Sequence, residues 1–83
     1  MLTHSPQNLA LEVISQRKKL KLSQAALGDL VGLKQKTISA FENNPEATKL
    51  STLFRILSAA NLYMYLFDRS KPNPIDALWH EEW

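Results

Sequence analysis

Apolar residues recur at helical spacing along most of the chain, and turn-forming residues separate the repeats. Leu27, Leu30 and Val31 are spaced i, i+3 and i+4, which predicts the buried side of a short helix. Gly32 follows at once and can adopt the positive φ that ends such a helix at low cost. The pattern therefore predicts a short helix followed by a glycine turn.

A second short helix follows the glycine turn, and most of its positions are polar. Ile38 and Phe41 mark its buried side. The polar positions, which cannot all be buried with them, are Gln35, Lys36, Thr37 and Ser39. Two helices arranged in this way are typical of a helix-turn-helix, in which the second helix enters the major groove of DNA.

A longer helix is predicted before this pair. Ser5 is its N-cap and Pro6 its first residue, as helix starts favour. Its apolar stripe comprises Leu9, Leu11, Val13, Ile14 and Leu20. Ser23 is predicted to cap the next helix, with Gln24 as its first residue.

A fourth helix is predicted after a loop that begins at Asn43-Asn44-Pro45. Thr48 is the best candidate for its N-cap, and Asn61 is suited to its C-terminal end. Its wide apolar stripe comprises Leu50, Leu53, Phe54, Ile56, Leu57 and Ala60.

The run Leu62–Phe67, LYMYLF, is apolar throughout and has the length of a β-strand. The sequence shows no second strand, and a lone strand would leave its backbone N–H and C=O groups unpaired. We therefore predict that residues of about 62–68 pair with the same strand of a second copy across a two-fold axis. The alternative is an extension of the fourth helix.

The chain of 83 residues predicts one small domain over residues 1–70, with a tail over residues 71–83. Pro72 and Pro74 interrupt regular structure, so the tail is predicted to be a short helix or flexible. A domain this small gains stability from oligomerisation. No apolar run approaches the roughly 20 residues that span a bilayer, and the N-terminus lacks the pattern of a signal peptide.

Cysteine is absent, which excludes disulfides and thiol catalysis and fits a reducing cytoplasm. His4 and His80 lie at opposite ends of the chain, and no phosphate-binding loop is evident. We therefore expect no enzymatic activity, no bound metal and no cofactor.

The net charge is only +2, but the charges are unevenly distributed. Between Val13 and Phe41 the positive residues outnumber the single acid Asp29; they are Arg17, Lys18, Lys19, Lys21, Lys34 and Lys36. The charged residues after Lys71 are all acidic. This distribution suggests a polyanion bound by the basic part and a different partner at the end of the chain. The alternative is that the lysines only solubilise exposed faces.

The motif residues resemble the helix-turn-helix of the phage-repressor (Xre/Cro) family; they are Ser23-Gln24, Leu27, Gly28, Gly32, Thr37-Ile38-Ser39 and Glu42. Gly28 departs from the family pattern, where alanine is usual. The segments LKQKTISAFENNP, LSTLFRIL and LYMYLFD and the acidic ending with Trp83 are more narrowly similar to HipB-type antitoxins. The resemblance extends from about Leu9 and implies a mainly α-helical, lambda-repressor-like domain of four to five helices.

For DNA, we expect the major groove to be contacted by Gln35, Lys36, Thr37 and Ser39, with Lys34 at its mouth. Gln24 and the basic residues Arg17, Lys18 and Lys19 are candidates for phosphate contacts that set the register. The alternative for the basic cluster is stabilisation of its helix C-terminus, and that for the recognition face is a solvated polar surface.

The resemblance further implies a bacterial, cytoplasmic homodimer that binds operator DNA of its own operon and a HipA-like serine/threonine kinase toxin. In such dimers the C-terminal strands pair, here residues Leu62, Tyr63, Met64, Tyr65, Leu66 and Phe67. The terminal tryptophan of HipB-type proteins can dock on the kinase, a role that falls on Trp83; the alternative is that Trp83 packs on its own domain. Two other functions remain open: a repressor without a toxin, and an inhibitor subunit with minor DNA binding.

Overall fold

The computed structural model describes residues 3–70 as four α-helices and one 3₁₀ turn. The helices are α1 (Pro6–Lys19), α2 (Gln24–Asp29), α3 (Gln35–Asn43) and α4 (Leu50–Ala59), and the 3₁₀ turn Pro45–Ala47 lies between α3 and α4. The predicted mainly α-helical fold is confirmed. The predicted tail over residues 71–83 lies outside the described residues. No helix within residues 3–70 has the length and apolarity needed to cross a membrane.

Local signals in the sequence place the starts of α1 and α2 correctly. The Ser5 hydroxyl accepts from the Asn8 N–H at 3.1 Å, and the Ser23 hydroxyl accepts from the Ala26 N–H at 3.0 Å. These bonds satisfy donors that the first turn of a helix leaves without partners. Gly32 has φ of +69°, as predicted for the turn after α2.

The core lies where α1 and α2 pack against α3, with α4 closing it from another side. Ile38 and Phe41 of α3 are buried, as predicted. Their buried neighbours are Ala10, Val13, Leu27, Ile56, Leu57, Ala59 and Ala60. Burial of this face of α3 turns the opposite, polar face towards solvent.

Several predictions about apolar stripes and caps were wrong. Leu30 was expected on the buried side of α2, but it is 62% exposed because α2 ends at Asp29 and Leu30 already lies in the turn. Leu50 and Phe54 of α4 are exposed rather than buried. Thr48 does not cap α4, since the N-cap is Lys49 and no side chain bonds to the first turn.

Gly28 is needed for close packing at the end of α2. A Cβ atom at this position would lie 2.3 Å from the Leu33 carbonyl oxygen and 3.3 Å from Ile38 Cγ1. The Leu33 N–H donates to the Gly28 carbonyl at 2.8 Å, which holds the turn against the helix. Alanine would therefore require the backbone of this turn to move away, so glycine suits this tight form of the turn.

The end of α4 excludes the alternative in which the helix continues through the apolar run. Asn61 has φ of +59°, and the Leu62 N–H turns back to the Leu57 carbonyl at 2.9 Å. This is the left-handed helix end that asparagine accommodates. The chain therefore leaves the helix before Leu62, as predicted.

Residues 62–68, here called the arm, have no regular structure in the single chain. The rings of Tyr63, Tyr65 and Phe67 follow one another at 6.3 and 6.1 Å, as alternate residues do in an extended segment. A strand as such is not formed, because no other segment of residues 3–70 pairs with the arm. The Ser70 hydroxyl and N–H donate to Asp68 at the end of the arm, and they lower the pKa of this carboxyl.

Candidate nucleic-acid interface

The first turn of α3 presents polar side chains and free backbone donors to solvent. The helix starts after Lys34, whose side chain makes no capping bond. Lys34, Gln35 and Lys36 are exposed, whereas Thr37 and Ser39 are half-buried at the edge of the same face. An uncapped helix start with basic and amide side chains suits contact with the phosphates and bases of DNA.

Gln24 and Gln35, the first residues of α2 and α3, are hydrogen-bonded to each other. Gln35 Nε2 donates to Gln24 Oε1 at 2.6 Å. This bond orients the Gln35 side chain but uses only one of its two N–H groups. The second N–H and Oε1 of Gln35 remain free to pair with the edge of a base.

Glu42, at the other end of α3, is hydrogen-bonded to Gln24. Gln24 Nε2 donates to Glu42 Oε1 at 2.9 Å. Arg17 of α1 donates two hydrogen bonds to the same carboxylate, from Nε at 2.7 Å and from Nη2 at 3.0 Å. Its Nη1 donates to the Leu22 carbonyl at 3.0 Å. The side chains of Arg17 and Glu42 are only 12% and 6% exposed.

These contacts form a continuous chain from the nearly buried ion pair to the exposed start of α3, here called the Arg17–Gln35 network. It runs from Arg17 through Glu42 and Gln24 to Gln35. A bidentate ion pair between nearly buried groups has little freedom to change geometry. The network therefore fixes the exposed side chain of Gln35 relative to α1, α2 and α3.

Arg17 is not placed as a phosphate contact, contrary to the sequence-based expectation. Its side chain is only 12% exposed, and three of its five N–H donors bond to Glu42 and the Leu22 carbonyl. The neighbouring Lys18 and Lys19 are exposed and remain available to phosphates. Lys21, also exposed, has φ of +60° in the turn that leads from α1 to α2.

Sequence reasoning assigned no functional role to Glu42. It was recognised as part of the family motif and as the residue that begins the end of α3, but not as the carboxylate that joins α1, α2 and α3. The available signal was charge: Glu42 adjoins the buried Phe41 in a region where the other charged residues are mostly basic. An isolated acid in such a region can pair with one of the basic residues, and it needs such a partner where its own side chain is buried.

The polar surface of α3 continues towards α4. Asn43 Nδ2 donates to the Ser39 hydroxyl at 3.3 Å, so Ser39 is partly engaged within its own helix. A shallow groove beyond it is lined by residues that include Lys36, Thr37, Lys49 and Thr52. The exposed polar surface therefore extends past α3 to the first turn of α4.

The arrangement of α2, the glycine turn and α3 is that of a helix-turn-helix protein. The profile of the helix-turn-helix family matches residues 13–67, which include the second half of α1, the other helices and most of the arm.

Comparison with individual proteins narrows the assignment. The chain is 41% identical over 71 residues to antitoxin HipB of Escherichia coli strain K12, covering 86% of this chain and 81% of that protein. Antitoxin HipB of Escherichia coli O6:H1 is also 41% identical over 71 residues, which is 76% of its length. This chain belongs to the helix-turn-helix family and, within it, to the HipB antitoxins.

Solved structures agree with this assignment. The HipB chain of a HipB–O4 20mer complex superimposes with a TM-score of 0.79 at 40% identity, covering 83% of this chain and 97% of that chain. The matching chain of a HipA–HipB–O2–O3 complex gives the same TM-score, identity and coverage.

Proposed function

We propose that this protein is the antitoxin and autorepressor of a toxin–antitoxin operon. As a homodimer it binds an inverted-repeat operator through α3, and it binds and neutralises a HipA-like serine/threonine kinase. The observation that carries this proposal is the Arg17–Gln35 network, which holds a base-reading glutamine at the exposed start of α3. Membership of the HipB antitoxins supports the toxin-directed half of the proposal.

In the DNA complex, each residue of the recognition helix has a distinct role. Gln35, with its free amide oxygen and remaining N–H, pairs with adenine, and Lys36 reaches the acceptors of guanine. Thr37 directs its methyl group to thymine, and Ser39 donates or accepts at the groove edge. Lys34 lies at the mouth of the groove, where it contacts a base or a phosphate.

Phosphate contacts flank the recognition helix. Lys18 and Lys19 are exposed at the end of α1, and Gln24 lies at the start of α2. Gln24 uses one N–H for Glu42, which leaves its second N–H for a phosphate oxygen. Such contacts position the protein on the duplex without reading sequence, and they make binding weaker as salt increases.

The arm supplies the contact between two copies. Tyr63, Tyr65 and Leu66 are 88%, 71% and 90% exposed in the single chain. Leu50 and Phe54 of α4, on the helix that leads into the arm, add further exposed apolar surface. If two arms pair as antiparallel strands, their backbone groups become hydrogen-bonded and much of this apolar surface is buried. The paired arms then set the distance between two recognition helices.

Replacing Tyr65 with proline should convert the dimer to a monomer. Proline removes a strand N–H, and its ring obstructs a paired strand, while the exposed position of Tyr65 spares the fold of the single chain. Because both copies lose a hydrogen bond, we expect the dimer dissociation constant to rise at least about tenfold. Analytical ultracentrifugation measures this constant. Tyr65→Thr, which keeps the N–H and a strand-favouring side chain, is the control; equal dissociation constants for both variants would contradict arm pairing.

Deleting Trp83 should weaken binding to the kinase and leave DNA affinity unchanged. Aromatic anchors in pockets dominate interface energies, so we expect the kinase dissociation constant to rise at least about 30-fold. The measurement is copurification of the products of the intact operon, followed by calorimetric titration of the kinase with the wild type and with the shortened chain. Trp83→Phe is the control that retains an aromatic ring. Equal kinase affinity for the wild type and the shortened chain would remove Trp83 from the interface.

Two observations separate this function from the alternatives. A kinase gene that overlaps or follows the gene for this chain favours the antitoxin over a repressor without a toxin. Binding to promoter DNA that weakens steeply with salt argues against a purely protein-binding inhibitor subunit, because counterion release accompanies phosphate contact.

A further inference from the structure

The turn between α2 and α3 is held by hydrogen bonds to two of its carbonyl groups, those of Gly28 and Val31. On one side, the Gly28 carbonyl accepts from the Val31 N–H at 3.1 Å and from the Leu33 N–H at 2.8 Å. On the other side, no backbone N–H of the described residues donates to the Val31 carbonyl. A hydrogen bond to this carbonyl from another helix would fix the turn, and hence the start of α3, relative to that helix.

Arg55 of α4 makes this contact. Its Nη2 donates to the Val31 carbonyl across 24 residues of sequence. The same nitrogen lies over Gly32, where a Cβ atom would approach it to 3.4 Å. The guanidinium of Arg55 therefore covers the turn at the residue whose positive φ directs the chain into α3.

The helix that carries Arg55 also leads into the arm. At its C-terminal end the Ala60 carbonyl accepts from Gln16 Nε2 of α1 at 3.1 Å, and the arm begins at residue 62. One rigid helix thus contacts the helix-turn-helix through Arg55 and continues into the proposed dimer contact. A helix of this length transmits a displacement of one end to the other because its backbone hydrogen bonds resist bending.

We propose that Arg55 is a positioning residue that couples the paired arms to the orientation of the recognition helix. This inference rests on the proposed function, in which the α3 helix of each copy binds one half of the operator. Arg55 would then help to fix the position of one α3 helix relative to the other. Arg55 acts on the turn and not on a base, so its loss should reduce discrimination between half-site spacings as well as operator affinity.

The test uses the full chain and a duplex that the wild-type protein selects from a random-sequence library. Arg55→Met removes the donor and the charge and keeps the aliphatic length, whereas Arg55→Lys restores a charged donor. Arg69→Met removes the same charge from the turn after the arm and serves as the control. Affinity is measured for the selected duplex, for a duplex with one base pair inserted between its half-sites, and for a duplex of unrelated sequence.

For Arg55→Met we expect affinity for the selected duplex to fall roughly 3- to 30-fold, the range over which residues outside both sites modulate coupling. Affinity for the unrelated duplex and the salt dependence of binding should not change. The loss caused by the inserted base pair should be smaller than in the wild type. Arg55→Lys should recover most of the affinity, and Arg69→Met should resemble the wild type.

Two results would overturn the proposal. Equal losses on selected and unrelated duplexes, with a weaker salt dependence, would make Arg55 a direct phosphate contact. Wild-type behaviour of Arg55→Met on all three duplexes would show that the turn needs no support from α4. If the wild-type protein selects no duplex, the proposed function fails instead; amide exchange at Leu33 then tests Arg55, because Arg55→Met should accelerate it and unchanged exchange would reject the contact.

Discussion

Replacing both Gln35 and Lys36 with alanine is expected to reduce operator affinity at least about 100-fold. A side chain that pairs with a base edge contributes about 1 to 3 kcal/mol, and a dimer would lose each contact twice. Both side chains are exposed at the start of α3, and Ile38 and Phe41 keep the helix packed without them. A mobility-shift titration of the promoter duplex upstream of the gene measures the loss.

The double variant Gln7→Ala with Ser15→Ala is the control, because it alters two exposed polar side chains of α1. It should bind the duplex as the wild type does. In the Gln35 and Lys36 variant, binding to DNA of unrelated sequence should retain most of its affinity and salt dependence, since Lys18, Lys19 and Lys34 remain. Unchanged operator affinity in that variant would show that α3 is not the reading helix.

Replacing Glu42 with alanine is expected to destabilise the fold more than any other single change proposed above. It leaves the Arg17 guanidinium nearly buried without its counter-charge, which costs about 3 kcal/mol or more. For a domain of this size that loss lowers the melting temperature by roughly 15 °C. Thermal unfolding followed by circular dichroism provides the measurement. Glu46→Ala, which removes an exposed acid from the 3₁₀ turn, should have little effect.

The Arg17–Gln35 network predicts a second effect of Glu42 that is separate from stability. Replacing the ion pair by apolar residues, as Arg17→Met with Glu42→Leu, should restore much of the stability lost in Glu42→Ala. It should not restore operator affinity, because Gln24 loses the acceptor that holds it against Gln35. Full operator binding by this double variant would show that Gln35 needs no support from the interior.

The features that the sequence predicted correctly are local ones. Serine before a helix satisfies donors in the same turn, so Ser5 and Ser23 could be assigned as caps. Gly32 could be assigned to a left-handed turn because glycine lacks the Cβ that resists positive φ. The prediction of Thr48 as a cap was wrong, since Thr48 ends the 3₁₀ turn, where its N–H donates to the Pro45 carbonyl, and Lys49 precedes α4.

Exposure was harder to predict than helix position. The spacing of Leu30, Leu50 and Phe54 is compatible with buried faces, but these residues lie outside the contact between helices. Periodicity states which side chains share a face, and it does not state whether another element covers that face. For the arm, the sequence indicates an extended apolar segment, while its pairing remains a proposal because the second copy is what would complete it.

The sequence by itself determined the helices, the glycine turn between α2 and α3, the polar outer face of α3 and the family. Only the tertiary structure decided which polar residues support that face. Arg17 and Glu42 are 25 residues apart and Val31 and Arg55 are 24 apart, and each pair meets only after the helices pack. The side chain of Arg17 is therefore mostly covered while Lys18 beside it is exposed, because a helix turns adjacent positions towards different environments.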